Sequence, residues 1–207
     1  MEDDVLRQHV SWKTPEAEVE GVLRLVQRQI RLQPELELGK LYIAVPNKVR
    51  LTAMKAACEA ARMTVFTPKE ATRLLATGDA SYVTVDFGGA VVLGSYGSIA
   101  AMAPEHLFAL SLVEGFYPVG TEAEEALAAE AKVLRDAVAE VPGTLIFSSF
   151  KRVTPEQAET WRLPALRRRR EHGKEVVIVT HSRFIDTMFD DAPTLVSGEQ
   201  FMMRLFG

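Results

Sequence analysis

The chain has one cysteine, Cys58, in 207 residues. A lone cysteine excludes an internal disulfide and a cysteine-rich zinc site. No two of its four histidines have zinc-ligand spacing. No apolar run approaches the ~20 residues of a membrane span. The acidic start Met1-Glu2-Asp3-Asp4 lacks the basic and then apolar character of a signal peptide, so a reducing, cytoplasmic setting is the expectation. No Gly-x-x-x-x-Gly-Lys-Ser/Thr occurs, so the chain has no phosphate-cradling P-loop of its own. Gly88-Gly89, Gly94 and Gly97 do not form the dinucleotide fingerprint, and Ser148-Ser149 lacks the glycine-flanked nucleophile elbow.

What is present reads as a globular α/β chain. The net charge of −4 does not advertise nucleic-acid binding, but charge is unevenly placed. Glu122 to Glu130 is acidic, whereas Lys151 to Lys174 is basic around Arg167-Arg168-Arg169-Arg170. Val19, Val22, Leu23, Val26 and Ile30 repeat with helical spacing after Thr14-Pro15, which predicts a capped helix over 15–32. The same reasoning predicts helices over 50–62, with Cys58 buried, and over 69–76. A long helix over 121–138 is expected to be capped by Thr121 with Glu124. Further helices are expected from Pro155, through the arginines to His172 with Gly173 as the stop, over 181–188, and along the tail 196–206. Short apolar runs at 41–45, 64–66, 144–147 and 175–179 read as buried strands. Runs at 81–87 and 90–93 around Gly88-Gly89 carry a hairpin signal. The run Leu107 to Val113 reads as a buried strand delivered into Glu114-Gly115-Phe116-Tyr117-Pro118, a tight, rigid loop. Strands alternating with helices predict an α/β sandwich with a largely parallel sheet. The expected division is a core over 1–150 and a C-terminal extension over 151–207 packed on it.

The chemically able residues have plain readings beside the sharper ones. Glu105-His106 is an acid-base pair or a loop before a strand. His181-Ser182 is a base and nucleophile or a helix start. Trp12 and Trp161 stack on bases or pack in the core. The four arginines track a phosphate backbone or cover a solvated helix face.

Taken with the element order, several segments resemble the C-terminal RecA-like motor domain, domain 2A, of UvrD/Rep-type superfamily I DNA helicases. A Glu-bearing helix, here Glu16 to Ile30, precedes the strand of motif IV, here Tyr42-Ile43-Ala44-Val45-Pro46-Asn47-Lys48. Ser95-Tyr96-Gly97-Ser98-Ile99-Ala100-Ala101-Met102-Ala103 stands where motif V begins, and Leu107 to Pro118 supplies its strand and its acidic-Gly-aromatic-Pro ending. Motif VI falls on Val133 to Phe150, and Ser182-Arg183-Phe184-Ile185 resembles a segment near the end of these domains. The likeness runs over about residues 12–190. It implies a three-layer RecA-like fold of the P-loop NTPase type, with a largely parallel sheet.

The departures shape the functional expectation. Domain 1A, the P-loop half, has no counterpart, nor has the large 2B insertion. The family places arginines in motifs IV and VI on the ATP γ-phosphate, where a planar guanidinium spreads over the transferring oxygens. Those positions fall on Lys48 and Glu140. The motif V histidine, lysine and glutamate fall on Gly97, Ala100 and Ala103. The resemblance therefore implies a DNA-binding or structural domain that is not catalytically competent alone. It implies no metal or cofactor within the chain, with ATP and Mg²⁺ entering only where an N-terminal motor domain completes the cleft. Lys48 is the nucleotide-facing candidate. Ser95, Tyr96, Ser98 and Arg167 to Arg170 are the single-stranded DNA candidates, and Glu114 to Pro118 form the motif V turn. The alternatives are a protein-protein interaction module docking through Phe201, Met202, Leu205 and Phe206, and a small-molecule enzyme using Asp86, Glu105, His106 or His181.

Overall fold

A computed structural model describes residues 6–78, 89–118, 123–187 and 194–207. The first half of the chain gives β1 (Arg7–Trp12), α1 (Pro15–Leu32), β2 (Leu41–Val45), α2 (Lys48–Ala60), β3 (Thr64–Phe66) and α3 (Pro68–Thr77). Next come β4 (Ala90–Ser95), a single 3₁₀ turn over Tyr96–Ser98, α4 (Ile99–Met102), β5 (His106–Ala109), α5 (Glu124–Ala139) and β6 (Leu145–Phe150). The remainder is β7 (Arg152–Val153), α6 (Pro155–Thr160), β8 (Arg167–Glu171), β9 (Lys174–Ile178), α7 (Arg183–Thr187), β10 (Leu195–Ser197) and α8 (Gly198–Phe206).

Seven strands form one parallel sheet in the order β10-β1-β6-β5-β2-β4-β3. Side chains alternate across it as the pleat requires. Leu41, Ile43 and Val45 pack under α1, α2 and α8, together with Val22, Leu25, Met54, Cys58 and Phe201. Tyr42 and Ala44 point the other way, against Ala71 of α3, Ile99 of α4, Leu134 and Val138 of α5 and Phe184 of α7. Both faces are covered, which is why the central strands read as unbroken apolar runs. The fold is a three-layer α/β arrangement of the Rossmann/RecA-like kind. Fully burying each large apolar side chain, such as Phe108 or Phe147, contributes about 1.5–3 kcal/mol.

A second, antiparallel sheet in the order β7-β9-β8 hangs from the carboxyl end of β6. Val113, Phe116, Phe150, Val153, Leu163 and Val177 form its own small core. β10 and α8 then return to the main layers: β10 becomes the edge strand beside β1, and Phe201 joins the α1–α2 core.

Local chemistry explains the helix starts. Thr14 accepts from Ala17 N, Asn47 from Arg50 N, and Thr67 and Thr154 each close a reciprocal capping box with Glu70 and Gln157.

Several expectations need correction. β1 was not expected as a strand, because His9 and Ser11 interrupt its apolar residues, yet it lies between β6 and β10 with its last four residues buried. The arginine run is a strand and not a helix. Val176 and Val177 supply its partner, and the His172-Gly173 pair, both at positive φ, is a tight hairpin turn where a helix stop was expected. The strand over 107–113 leaves its ladder at Ala109, although Leu110, Leu112 and Val113 stay fully buried. β4 pairs in parallel with β2 and β3, so it is no hairpin arm, and the run 81–87 lies outside the described residues. α5 begins at Glu124 after Ala123, and Thr121 also lies outside the described residues. The tail is helical only after the short strand β10.

Candidate nucleic-acid interface at the carboxyl edge of the sheet

In a parallel α/β sheet the loops leaving the carboxyl ends of the strands gather at one edge, where ligands bind. Here that edge collects Lys13 after β1, Lys48 after β2, Ser95 at the end of β4, Ser111 to Pro118 after β5 and Lys151 after β6. Glu105 and His106 sit at the opposite, amino edge. His106 is buried there, accepts from Thr144 N at 3.0 Å, and burial holds its imidazole below the usual range.

The base of the carboxyl edge is a buried charged network. Arg50 and Glu18 form an ion pair at 2.8 Å with side chains 4 % and 0 % exposed. Glu18 Oε1 accepts from Ser111 N at 2.8 Å and from Ser148 Oγ at 2.7 Å. Glu18 Oε2 accepts from Ser111 Oγ at 2.6 Å, and Arg50 Nε donates to that hydroxyl at 2.8 Å. Arg50 also donates to Pro15 O, and Trp12 Nε1 donates to Ser148 Oγ. Ser111 reaches this arrangement with φ at 58°, a conformation non-glycine residues rarely take. The network ties together the first turns of α1 and α2 and the ends of β1, β5 and β6. Arg50 lies two residues beyond Lys48, which is exposed in the first turn of α2.

Above it sits the loop Glu114 to Pro118. Val113 O accepts from both Phe116 N and Tyr117 N, which makes the turn. Gly115 holds φ at +87°, and a Cβ there would lie 2.6 Å from Pro164 Cδ, so only glycine fits. The Tyr117–Pro118 peptide is cis. Arg183 donates from its backbone N–H to Glu114 Oε1 at 2.6 Å, and its guanidinium reaches both carboxylate oxygens, Nη2 to Oε2 at 2.8 Å. Ser182 N donates to Leu112 O at 2.8 Å. Tyr117 packs on Tyr96 at 4.5 Å and on Phe184 at 5.5 Å between ring centroids.

Ser95 is exposed, with its hydroxyl 3.2 Å from that of half-exposed Ser98, and its carbonyl accepts from Tyr42 Oη at 2.9 Å. Tyr96 is turned inward and donates to Leu110 O. Ala100 and Ala103 around α4, and Glu140, distant in sequence after α5, line one groove of about 410 Å³ with Ile99, Val133 and Asp136; Pro104 and Val141, just before β5 and β6, place it toward the amino edge. Among the described residues no lysine or arginine lines that groove.

Arg167 to Arg170 stand apart on exposed β8. Trp12 is buried in the core, and Trp161 packs on Phe116 and Phe150, so both indoles have packing roles. In the tail, Phe201 is buried and Met202 and Leu205 pack on the main core. His181 pairs with Asp186 at 3.2 Å and meets buried His9 edge-on at 5.3 Å, and His9 Nε2 lies 2.9 Å from Ser149 Oγ. Among the described residues no group of His, Cys, Asp and Glu is arranged to hold a metal ion. Among them, too, no helix is long and apolar enough to cross a membrane.

Reasoning from sequence missed the Glu18–Arg50 pair. A signal was present: Glu18 shares the helical stripe of Val22, Leu25, Val26 and Gln29, and Arg50 that of Met54 and Cys58. Charged residues on an inward stripe announce a buried pair.

Fold and site together define a three-layer α/β protein with a polar, partly charged carboxyl edge. No protein-family model matches the chain, and no curated protein matches it.

Proposed function

We propose that this chain is a helicase 2A-like domain of a cytoplasmic DNA-processing protein, contributing DNA binding or structure without hydrolysing ATP by itself. One observation carries the reading: segments that resemble the helicase domain, scattered along the chain, touch one another at one edge. Tyr42 bonds to Ser95, Tyr96 packs on Tyr117, Tyr117 packs on Phe184, and Arg183 clamps Glu114.

The groove of Ala100, Ala103 and Glu140 supports the non-hydrolytic part. These positions would face nucleotide by the resemblance, and here they offer two methyl groups and a carboxylate, which repels phosphate. Lys48 keeps a charge at the edge as a point cation and lacks the fork of an arginine. On this reading ATP and Mg²⁺ bind only between this domain and a P-loop partner. Single-stranded DNA would lie over Ser95 and Ser98, whose hydroxyls and amides are suited to one phosphate.

The test is a pair of measurements on the purified chain. A fluorescent single-stranded oligonucleotide should bind at low salt, weaken as salt rises and weaken on Ser95→Ala/Ser98→Ala. ATP turnover should stay at background. A flat isotherm at low salt, or turnover abolished by Lys48→Ala, overturns the proposal.

A further inference from the structure

β8 carries four consecutive arginines, all exposed, on the free edge of the second sheet. Residues 151–175 hold eight Lys and Arg against four Asp and Glu, in a chain whose net charge is −4. The basic character is therefore concentrated here. Among the described residues β7 pairs only with Val177 and Ile178, and from Arg169 to Val176 the hairpin is a two-stranded ribbon without a third strand. Its tip turns through His172 and Gly173 at φ of 49° and 79°.

Register assigns the arginines to faces. Arg167 and Arg169 lie opposite Ile178 and Val176 on one face, and Arg168 and Arg170 lie opposite Val177 and Glu175 on the other. Glu171 pairs with Arg152 and lies 3.7 Å from Arg169, and Glu175 pairs with Arg168 at 3.2 Å. Among the described residues Arg167 and Arg170 have no acidic partner, and they fall on opposite faces. The ribbon thus offers one uncompensated guanidinium to each side.

We infer that the β8–β9 ribbon is a site for duplex nucleic acid, seated in the major groove and held by its phosphate walls. The major groove is about 12 Å wide and admits a two-stranded ribbon. A guanidinium on each face meets the phosphates of both walls, and its planar fork suits bidentate phosphate contact. The contacts are to the backbone, so they set affinity and position without reading sequence. The choice of nucleic acid rests on the helicase-like reading; the ribbon's geometry does not.

Fluorescence anisotropy with a 20-base-pair duplex, over a salt series, tests the site in the full chain. Arg167→Ala/Arg170→Ala should weaken duplex binding about tenfold near physiological salt. It should also reduce the slope of log K against log salt by about 1.8, the value for two phosphates. Arg167→Lys/Arg170→Lys should restore most of the slope, and circular dichroism should show all variants folded. Unchanged duplex binding in the alanine variant overturns the inference, as does a wild type that binds poly-glutamate and not duplex. The two proposals fail separately. Ser95→Ala/Ser98→Ala acts on single-strand binding and leaves the ribbon intact, whereas the arginine variants act on duplex binding.

Discussion

Arg183 grips Glu114 across 69 positions of sequence, through its own backbone N–H and both arms of its guanidinium. The clamp fastens the start of α7 to the loop that follows β5. The two segments are also joined by Ser182 N to Leu112 O, by Glu114 N to Thr180 O, by the Val113–His181 bridge and by the Tyr117–Phe184 ring contact. Arg183→Ala should lower the melting temperature and open the 114–118 loop to limited proteolysis. Lysine at 183 cannot form the fork and should fall between the two. Equal cleavage rates for wild type and alanine variant would show that the loop holds itself.

The Glu18–Arg50 pair predicts a larger effect. Removing one member leaves the other charge buried without its partner, which costs about 3–5 kcal/mol. Arg50→Met and Glu18→Leu should each lower the urea midpoint strongly. The double variant should be less destabilised than the two singles added together. Simple additivity in the cycle would contradict the coupling.

Gly21 lies in the middle of α1, where alanine would ordinarily stabilise by about 1 kcal/mol. Here a Cβ at Gly21 would lie 2.0 Å from Trp12 Cη2. Gly21→Ala is therefore expected to destabilise, and pairing it with Trp12→Leu should recover part of the loss. Equilibrium denaturation of the three proteins reads this out.

Acid should weaken the fold through His9. Burial, and then the charges of His181 and Lys151, bring its imidazole from 6.5 to about 3. The unfolded chain takes up that proton below about pH 6.5, and the folded chain does so only near 3. The contribution is thus full above the unfolded value and is lost as pH falls through this window, by up to about 1.4 kcal/mol per pH unit. Buried His106 is shifted in the same direction. His9→Gln should flatten the acid limb of a stability-pH curve. A limb of unchanged steepness would assign the effect elsewhere.

Cys58 is fully buried on α2, and burial, with Glu59 nearby, pushes its thiol up to about 12. Since the thiolate is the reactive form, a thiol reagent at pH 8 should label the chain only in denaturant. Rapid labelling of the native protein would contradict the burial.

The sheet's centre was legible in the sequence because β2 and β6 are buried on both faces and read as apolar runs. α1 and α2 were legible because their stripes repeat with helical spacing, and α6 because Thr154 and Pro155 mark its start. β1 was hidden because Ser11 and His9 alternate with Val10 and Trp12, and the polar half is buried too. β8 was hidden because four like charges carry no periodicity, and only its pairing with Val176 and Val177 sets its form. At the site, the loop 114–118 announced itself by composition. The Glu18–Arg50 pair was passed over although both residues lie on inward stripes, because a charged residue is ordinarily assigned to water.

β1 finds both its neighbours late in the chain: Val10 lies beside Ser148 on one side and Val196 on the other. Trp12 reaches its hydrogen-bond partner across 136 positions. At ordinary translation rates that separation is an interval on the order of ten seconds. During it β1 has neither of its ladder partners. The strand that anchors the site thus depends on contacts of high sequence separation, the kind whose loop-closure entropy slows folding.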